Sequence, residues 1–397
     1  MVAPKLRFKE FDGDWSASNL EQTTQYFKGF AFKSESYKED GIRIIRVSDL
    51  DKDSIKYQNE AIFLDKIEAQ NYLNWEVKKK DIIVTTVGSK PHLIDSAVGR
   101  PIFVKNDSEG LLNQNLLVLR PKNENIDAYF IFSQLLDKKY LTHIETIQRG
   151  NANQSNITVK DLQEFEVFQT SKEEQTKIAS FLSAVDEKIS QLTKKNQLLS
   201  QYKQGMMQKL FSQQLRFKAD DGREFGEWEN SYIGNECKIT TGNKDTQNKV
   251  DDGLYPFFVR SQTVEKINSY SMDCEAILTS GDGVGVGKNY HYINGKFDFH
   301  QRVYCLYEFS ERLIGRYLYI YFSNYFYDRV KRLSAKNSVD SVRMDMISKM
   351  EIKLPCLEEQ TKIANFLSAI DQKIEVVAKQ IEQAKTWKKG LLQQMFV

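Results

Sequence analysis

The chain has 397 residues, too many for one ordinary domain, and its 41% hydrophobic and 12% aromatic content excludes a disordered protein. Lys and Arg number 56 against 54 Asp and Glu, so the formal net charge is only +2. A nucleic-acid partner would therefore require basic side chains concentrated on one face.

The first 170 residues have the pattern of a β-rich module. Short β-branched and aromatic runs at 42–47, 81–87 and 116–119 are bounded by Gly, Asn and Asp, a pattern typical of strands. We therefore predict a first α/β domain over 1–170.

A long helix is predicted next, over 171–213. Its apolar residues alternate spacings of four and three, which is typical of a coiled-coil seam. About 39 residues at 1.5 Å each would give a helix roughly 58 Å long. The seam consists of Ile178, Leu182, Val185, Ile189, Leu192 and the polar Asn196.

The second half of the chain repeats the first. The helix sequence EEQTKIASFLSAVDEKI begins at Glu173 and recurs at Glu358 as EEQTKIANFLSAIDQKI, 185 residues later, with three differences in 17 positions. We predict a second domain over 214–356, with strands at 276–278 and 303–307 and a helix at 314–333, and a second long helix over 357–397. The second seam consists of Ile363, Leu367, Ile370, Ile374, Val377 and Ile381.

Two seams in one chain favour pairing of the two helices with each other. Because a module lies between them in sequence, an antiparallel pair is expected. The predicted fold is α+β, with two repeated α/β domains separated by a pair of long antiparallel coiled-coil helices. An alternative is that each helix packs on the core of its own module. If the two helices pair with each other, Asn196, whose counterpart in the repeat is Ile381, would fix the register of the pair.

This repeat of variable module and constant helix resembles the specificity subunits of Type I restriction–modification systems. The likeness rests on the two helix sequences, on the Leu-Arg-Phe segments that start at Leu6 and Leu215, and on helix ends with Gly and Phe six residues apart. It extends over essentially the whole chain.

The resemblance implies that each module is a target-recognition domain for one half of a split, asymmetric DNA sequence. The paired helices would set the unread spacer and dock two methyltransferase subunits, which motor-nuclease subunits would join. The resemblance implies a host-defence role in which this chain performs no catalysis and binds no cofactor. S-adenosylmethionine, ATP and Mg would bind to the partner subunits.

The sequence contains no recognisable catalytic motif. Asn-Pro, which begins the adenine-methylation motif, is absent, and GDGVGVGK at 281–288 lacks the Gly and the Ser/Thr of a phosphate-binding loop. We expect this segment to be a hairpin loop near DNA, or else a plain structural turn. The four histidines and four cysteines lack metal-ligand spacing, so no metal site is expected.

No segment has the composition of a membrane span or a signal peptide. The most apolar candidate, 313–330, contains Arg316, Asp328 and Arg329. We expect a cytoplasmic protein.

Candidate DNA-binding residues are the Arg, Lys, Asn and Gln of loops that match between the modules, because these side chains read base edges in the major groove. Three zones qualify: one after the early strand, one that combines the glycine-rich loop with an Asn/Gln turn, and one before each long helix. In the first module they contain Arg46 and Ser48, then Lys90, Arg100, Asn113 and Gln114, then Arg149, Asn151 and Asn153. In the second module they contain Arg260 and Gln262, then Lys288, His300, Gln301 and Arg302, then Lys336 and Asn337. The alternative for each residue is an ordinary solvated loop position.

Two other classes of function stay open at this point. One is a non-catalytic scaffold whose two heads bind peptide or glycan across a coiled-coil spacer. The other is a self-sufficient modification or cleavage enzyme. Matched basic and amide-rich loops favour double-stranded DNA, and phosphate contacts would make such binding depend on salt.

Overall fold

The structure, a computed structural model, describes residues 3–51, 54–57, 59–90, 97–107, 109–151, 154–283, 285–333 and 341–397. The chain divides into two compact units: unit 1 is Met1–Lys194 with Ala378–Val397, and unit 2 is Lys195–Val377. Each unit combines one module with part of each long helix. The four-segment division at 1–170, 171–213, 214–356 and 357–397 stays a prediction.

Unit 1 is built from short strands and helices that precede the first long helix. Its strands are β1 (Ser16–Asn19), β2 (Thr24–Lys28), β3 (Ile42–Ile45), β4 (Ile62–Leu64), β5 (Ile82–Thr85), β6 (Val87–Gly88), β7 (Pro101–Phe103), β8 (Leu111–Leu112), β9 (Leu116–Pro121), β10 (Arg149–Asn151), β11 (Gln154–Asn156) and β12 (Glu166–Gln169). Its helices are α1 (Leu20–Thr23), α2 (Lys66–Ala69), α3 (Ala128–Gln134), α4 (Lys138–Ile147), α5 (Val159–Gln163) and the start of α6 (Lys172–Phe211).

The sheets of unit 1 are small. Strand order is β2-β9-β5-β7 in one sheet, β4-β3-β8 in a second and β10-β11-β6 in a third, and β1 pairs with β12. Strand β5 and the first four residues of β9 are buried throughout, which explains their continuous apolar sequence. The strands predicted at 42–47, 81–87 and 116–119 correspond to β3, β5 with β6, and β9.

Unit 2 concentrates its strands in one sheet of order β14-β19-β17-β18-β15-β16, and β13 pairs with β20. The predicted strands at 276–278 and 303–307 lie in β17 and β19, and the predicted helix at 314–333 is α8. The strands are β13 (Glu229–Tyr232), β14 (Lys238–Thr241), β15 (Tyr255–Phe258), β16 (Glu265–Ile267), β17 (Met272–Ser280), β18 (Tyr290–Phe299), β19 (Val303–Tyr307) and β20 (Glu351–Leu354). The helices are α7 (Ile233–Glu236), α8 (Gly315–Leu333), α9 (Met344–Ser348) and the start of α10 (Leu357–Met395).

Within each unit the long helices contact each other. In unit 2, Asn196 Nδ2 donates to the carbonyl oxygen of Ile374 at 3.2 Å, and Lys203 pairs with Asp371 at 2.6 Å. Residue numbers rise along α6 where they fall along α10, so the helices run antiparallel. In unit 1, the ring centroids of Phe181 and Trp387 lie 5.9 Å apart. The predicted fold class, with repeated modules and paired antiparallel helices, is confirmed.

The seams also pack on the modules, as the alternative proposed. In unit 1, Ile178 and Leu182 share a core with Trp15 and Phe130, and the end of α10 joins it through Leu391, Leu392, Met395 and Phe396. In unit 2, Ile363 and Leu367 share a core with Ile233 and Tyr317, and the end of α6 joins it through Met207, Leu210 and Phe211. Thus each module packs against the start of one long helix and the end of the other. All the predicted seam residues are buried or half-buried.

The repeated Glu-Glu-Gln sequence anchors each module to a helix. In unit 1, Glu174 accepts hydrogen bonds from Arg7 (2.7 and 2.8 Å) and from Trp15 Nε1 (3.2 Å). In unit 2, Glu359 accepts equivalent bonds from Arg216 (3.1 and 2.7 Å) and Trp228 (2.9 Å). These contacts explain why the Leu-Arg-Phe segments, each followed by a Trp, recur together with the helix motif.

The neighbouring glutamine completes the anchor through main-chain groups. Gln175 Oε1 accepts from the amide of Asp127 at 3.0 Å, and Gln360 Oε1 accepts from the amide of Ile314 at 2.9 Å. Both side chains are buried. A buried amide with its donors and acceptors satisfied fixes the loop that it contacts.

Candidate nucleic-acid interface

Unit 2 brings residues of the first two predicted zones together around one carboxylate. Arg260 follows β15, Arg302 precedes β19, and Asp282 follows β17. Asp282 Oδ1 lies 3.2 Å from Arg260 Nη1, and its Oδ2 lies 3.3 Å from Arg302 Nη1. The arginine side chains are 45% and 63% exposed, so both guanidinium groups can reach a ligand.

The backbone around this cluster is bonded to the described segment that begins at Ser341. The amide of Gly281 donates to the carbonyl of Arg302 at 2.7 Å, and the amide of Val342 donates to the carbonyl of Gly281 at 2.7 Å. Asp282 and Ser341 also form an antiparallel β-bridge, and Ser341 is the first described residue after the third zone. The candidates Lys336 and Asn337 lie outside the described residues, but the described segment that follows them adjoins the cluster.

The loop at 281–288 connects antiparallel strands, with Thr279 opposite Tyr290. The described residues on either side of 284 therefore form a hairpin connection, whereas a phosphate-binding loop would lead from a strand into a helix. That this loop lies near DNA stays a prediction. Asn289 Nδ2 donates to the carbonyl of Arg260 at 3.1 Å and closes the loop against the end of β15. Lys288 is exposed, with Nζ 5.0 Å from the centroid of the Tyr327 ring.

The turn before β19 contains one buried candidate and one exposed amide. His300 is 2% exposed, and its Nδ1 accepts from the amide of Arg302 at 2.9 Å. Burial, and then the charge of Arg260, lower the pKa of His300, so the ring stays neutral and shapes the turn. Gln301 is exposed, and its Nε2 donates to Asp245 at 3.2 Å. Gln262 is also exposed.

In unit 1, Arg46 is held by Asp49. Arg46 Nε and Nη2 donate to the two carboxylate oxygens at 2.9 and 3.1 Å, and Nη2 also donates to the carbonyl of Glu60 at 2.8 Å. The hydrogen bonds that Arg46 donates to the Asp49 carboxylate raise the pKa of Arg46. These contacts favour a role for Arg46 in holding its turn, while the neighbouring Ser48 is exposed.

The other unit 1 candidates differ in exposure. Asn113 is buried and its Oδ1 accepts from the amide of Gln114 at 2.7 Å, whereas the Gln114 side chain is exposed. Arg100 and Lys90 are half-buried. Arg149 pairs with Asp161 at 2.8 Å. Asn151 belongs to β10, but its side chain, like Asn153, lies outside what the structure describes.

The two modules place their candidate turns on the same backbone frame. In unit 1, the amide of Thr86 donates to the carbonyl of Asn115 at 2.8 Å, just as Gly281 donates to Arg302 in unit 2. These matching bonds make Asn115 the counterpart of Arg302, and they make Val87, which follows Thr86, the counterpart of Asp282.

A second pair of bonds corrects the sequence alignment of the first zone. The amide of Asn113 donates to the carbonyl of Ile45, and the amide of His300 donates to the carbonyl of Phe258. The match of Asn113 with His300 agrees with the sequence alignment. The first zone begins at Arg46 in one module and at Arg260 in the other, which aligns these two residues. The backbone bonds instead match Arg46 with Val259, so that alignment is wrong by one residue. The counterpart of Arg260 is Val47.

Sequence reasoning missed the acidic partners Asp49, Asp245 and Asp282. The available signal for Asp282 is an acidic residue that directly follows a strand and lies between two glycines. Among the described residues, no group of three His, Cys, Asp or Glu side chains is placed to hold a metal ion. In the same residues, no helix combines the length and apolar character needed to cross a membrane.

Comparison with known proteins gives one consistent family. The putative type I restriction enzyme MjaX specificity subunit of Methanocaldococcus jannaschii is 25% identical, over 98% of this chain and 94% of that protein. The crystal structure of the Type-I restriction-modification system S subunit from M. genitalium has a TM-score of 0.72 at 17% identity and covers 100% of this chain and 99% of its own. A structure described as showing the structural basis underlying complex assembly and conformational transition of the type I R-M system has a TM-score of 0.51 at 17% identity. It covers 96% of this chain and 97% of its own.

The family model described as Type I restriction modification DNA specificity domain matches residues 12–201 and 226–386, one range in each half of the repeat. Together these ranges make up most of the chain, and each includes a β-rich module and part of a long helix. The chain therefore belongs to the family of Type I restriction modification DNA specificity domains.

Proposed function

We propose that this chain is the DNA-recognition subunit of a Type I restriction–modification complex, and that each module reads one half of a bipartite, asymmetric site. The observation that carries the proposal is the shared backbone frame with different side chains. Unit 2 has Arg260 and Arg302 where unit 1 has Val47 and Asn115. The shared backbone bonds would give both modules the same binding geometry. The different side chains would let each module read a different base sequence.

We further propose that two methyltransferase subunits dock on the long helices and that motor-nuclease subunits join them. Large apolar side chains on these helices are exposed, and a partner that docks there would cover them. They include Leu198, Tyr202 and Val376 in unit 2 and Trp387 in unit 1. In this proposal the chain does no chemistry itself, and S-adenosylmethionine, ATP and Mg belong to the partner subunits.

The decisive experiment compares methylated adenines across a genome with and without this chain. We expect methylation at a split sequence that appears only when the chain is present. A matched control is a chain whose module at 214–356 is replaced by a module from another family member, which should change one half of the sequence and leave the other. An unchanged methylation map in both cases would contradict the proposal.

Two other functions make different predictions. If the modules bound peptide or glycan, the affinity for duplex DNA would be negligible. If the chain were a self-sufficient enzyme, the purified chain would methylate or cleave DNA without partners. Purified chain mixed with duplex DNA, S-adenosylmethionine and Mg tests both, and we expect binding without reaction.

A further inference from the structure

Asp282 joins two arginines that come from different strand ends. Its carboxylate contacts Nη1 of Arg260 at 3.2 Å and Nη1 of Arg302 at 3.3 Å, and its side chain is only 21% exposed. Since the two arginines are themselves largely exposed, these ion pairs contribute little to folding stability. The effect of the half-buried Asp282 carboxylate is therefore to hold the two exposed guanidinium groups in fixed orientations, and not to stabilise the fold.

The position of Asp282 is itself fixed from both sides. Gly281 bonds to Arg302 and to Val342 through the backbone, and Asp282 bridges to Ser341. Asn289 bonds to the carbonyl of Arg260 and to Ser280 Oγ at 3.3 Å. The carboxylate and both arginine backbones thus belong to one hydrogen-bonded frame, and a change of the side chain at 282 acts directly on the guanidinium groups.

The chemistry of the trio favours bases over phosphate. A guanidinium fork donates two hydrogen bonds to O6 and N7 of guanine. Asp282 contacts Nη1 of each guanidinium group. The negative charge between the forks offsets part of their positive charge and repels a phosphate that approaches them.

Unit 1 has no such trio on the matching frame. Its counterparts of Asp282, Arg260 and Arg302 are Val87, Val47 and Asn115. Any effect of the carboxylate on DNA recognition should therefore be confined to the half of the site that unit 2 reads.

We propose that Asp282 is a positioning residue that sets the specificity of unit 2, because it orients Arg260 and Arg302 toward guanine and keeps both from binding phosphate. This inference rests on the proposed function, since it assumes that the modules read DNA. It goes beyond that function in assigning a base preference, and a residue that enforces it, to one module.

The test uses the full chain and a pool of random-sequence duplex DNA, and sequences the duplexes retained by wild type and variants. In D282N, we expect guanine enrichment in one half-site to fall roughly 10-fold or more, because a guanine contact discriminates by about that factor. Total binding of the pool should rise, and the log–log dependence on salt should steepen by about 0.9, which is one added phosphate contact.

Two further variants separate orientation from charge. D282E keeps the charge but moves it by one methylene, so enrichment should fall while the salt dependence stays that of wild type; this variant also decides the question if D282N does not fold. D273N is the matched control, because it removes a carboxylate at the other end of the same strand, and it should leave enrichment unchanged.

The outcomes are distinct. The inference is overturned if D282N and D282E both keep wild-type enrichment, if D273N acts like D282N, or if the loss extends to both half-sites. If wild type itself retains no enriched sequence, the proposed function fails instead, whatever the variants do.

Discussion

In each of the two turns that contain Asn113 and His300, one side chain holds the backbone and the next side chain is exposed. Asn113 is buried and accepts a hydrogen bond from the amide of Gln114, and the buried His300 plays the same part before the exposed Gln301. A side chain used by the turn cannot also leave it to bind a base without breaking the turn. At this scale the exposed amides are the better candidates for base contacts.

The first prediction concerns Gln114. A glutamine amide pairs with adenine, and the loss of such a pair costs about 1–3 kcal/mol of discrimination. Gln114→Ala should therefore relax one position of one half-site, measured as relative affinity for duplexes altered one base pair at a time. Gln70→Ala, a change at an exposed glutamine in another part of unit 1, is the control. Equal weakening at every position would mean that Gln114 contacts only phosphate.

Glu236 shows how a buried charge supports the frame of unit 2. Burial raises its pKa, but hydrogen bonds from Arg312, Ser231 and Ser310 outweigh burial and lower the pKa from 4.5 to about 2. The carboxylate itself is almost fully buried. A pKa lowered on folding stabilises the ionised form, so this contribution is present above about pH 4.5 and is lost as the pH falls toward 2.

The second prediction follows from that shift. In wild type, acid should destabilise unit 2 by up to about 3 kcal/mol through this group. In Glu236→Gln, stability at neutral pH should be lower, and its fall between pH 4.5 and 2 should be shallower. Hydrogen exchange of unit 2 peptides measures both. The exposed Glu227→Gln should behave as wild type, and identical acid dependence in Glu236→Gln would refute the assignment.

At the scale of elements, the long helices combine an apolar seam with one polar position. Asn196 lies among seam residues and donates to the carbonyl of Ile374, whereas its counterpart in the repeat, Ile381, is buried and apolar. A half-buried amide that finds its acceptor in only one register disfavours the other registers, at some cost in stability.

The third prediction tests that role. Asn196→Leu should raise the thermal midpoint of the helix pair but loosen its register. Register is measured by the distance between spin labels placed at 203 and 371, whose native side chains pair at 2.6 Å. Lys195→Leu, an exposed change one residue away, should preserve the distribution of label distances. An unchanged distance distribution and unchanged activity in Asn196→Leu would count against a register function.

At the scale of the whole molecule, near-neutral charge and DNA binding are compatible because charge is local. The net charge is +2, yet Arg260 and Arg302 lie together with Lys244, which approaches Asp298 at 3.8 Å, in the same region of unit 2. The acidic partners of these cations fix their positions and lower the local positive potential.

The fourth prediction is the salt dependence of the complete chain. The association constant for duplex DNA should fall as salt rises, with a log–log slope of about −0.9 for each phosphate neutralised. Titrations at several salt concentrations measure the slope. A variant with both Arg260→Ala and Arg302→Ala should lose affinity for its best sequence while changing the slope little, because we propose that the trio contacts bases rather than phosphates. A flat dependence in wild type would favour a peptide or glycan ligand.

What the sequence determined by itself is the repeat and the long helices. Helix seams depend on spacings of three and four residues within one segment. The sequence alone therefore indicated the seams from Ile178 to Ile189 and from Ile363 to Ile374. The duplicated motif likewise indicated two modules. Runs such as Ile82–Thr85 are apolar because both faces are buried, and this made the inner strands recognisable as well.

Only the tertiary structure decided which residues meet. Phe396 lies in the core of unit 1, 5.4 Å in centroid distance from Phe130, and Asp282 lies between arginines 22 residues before it and 20 after it. The one-residue error between Arg46 and Arg260 was invisible until the bonds to Ile45 and Phe258 set the register. Local spacing encodes the periodicity of an element, but pairing across a sheet depends on chain segments far apart in sequence, and no local pattern records it.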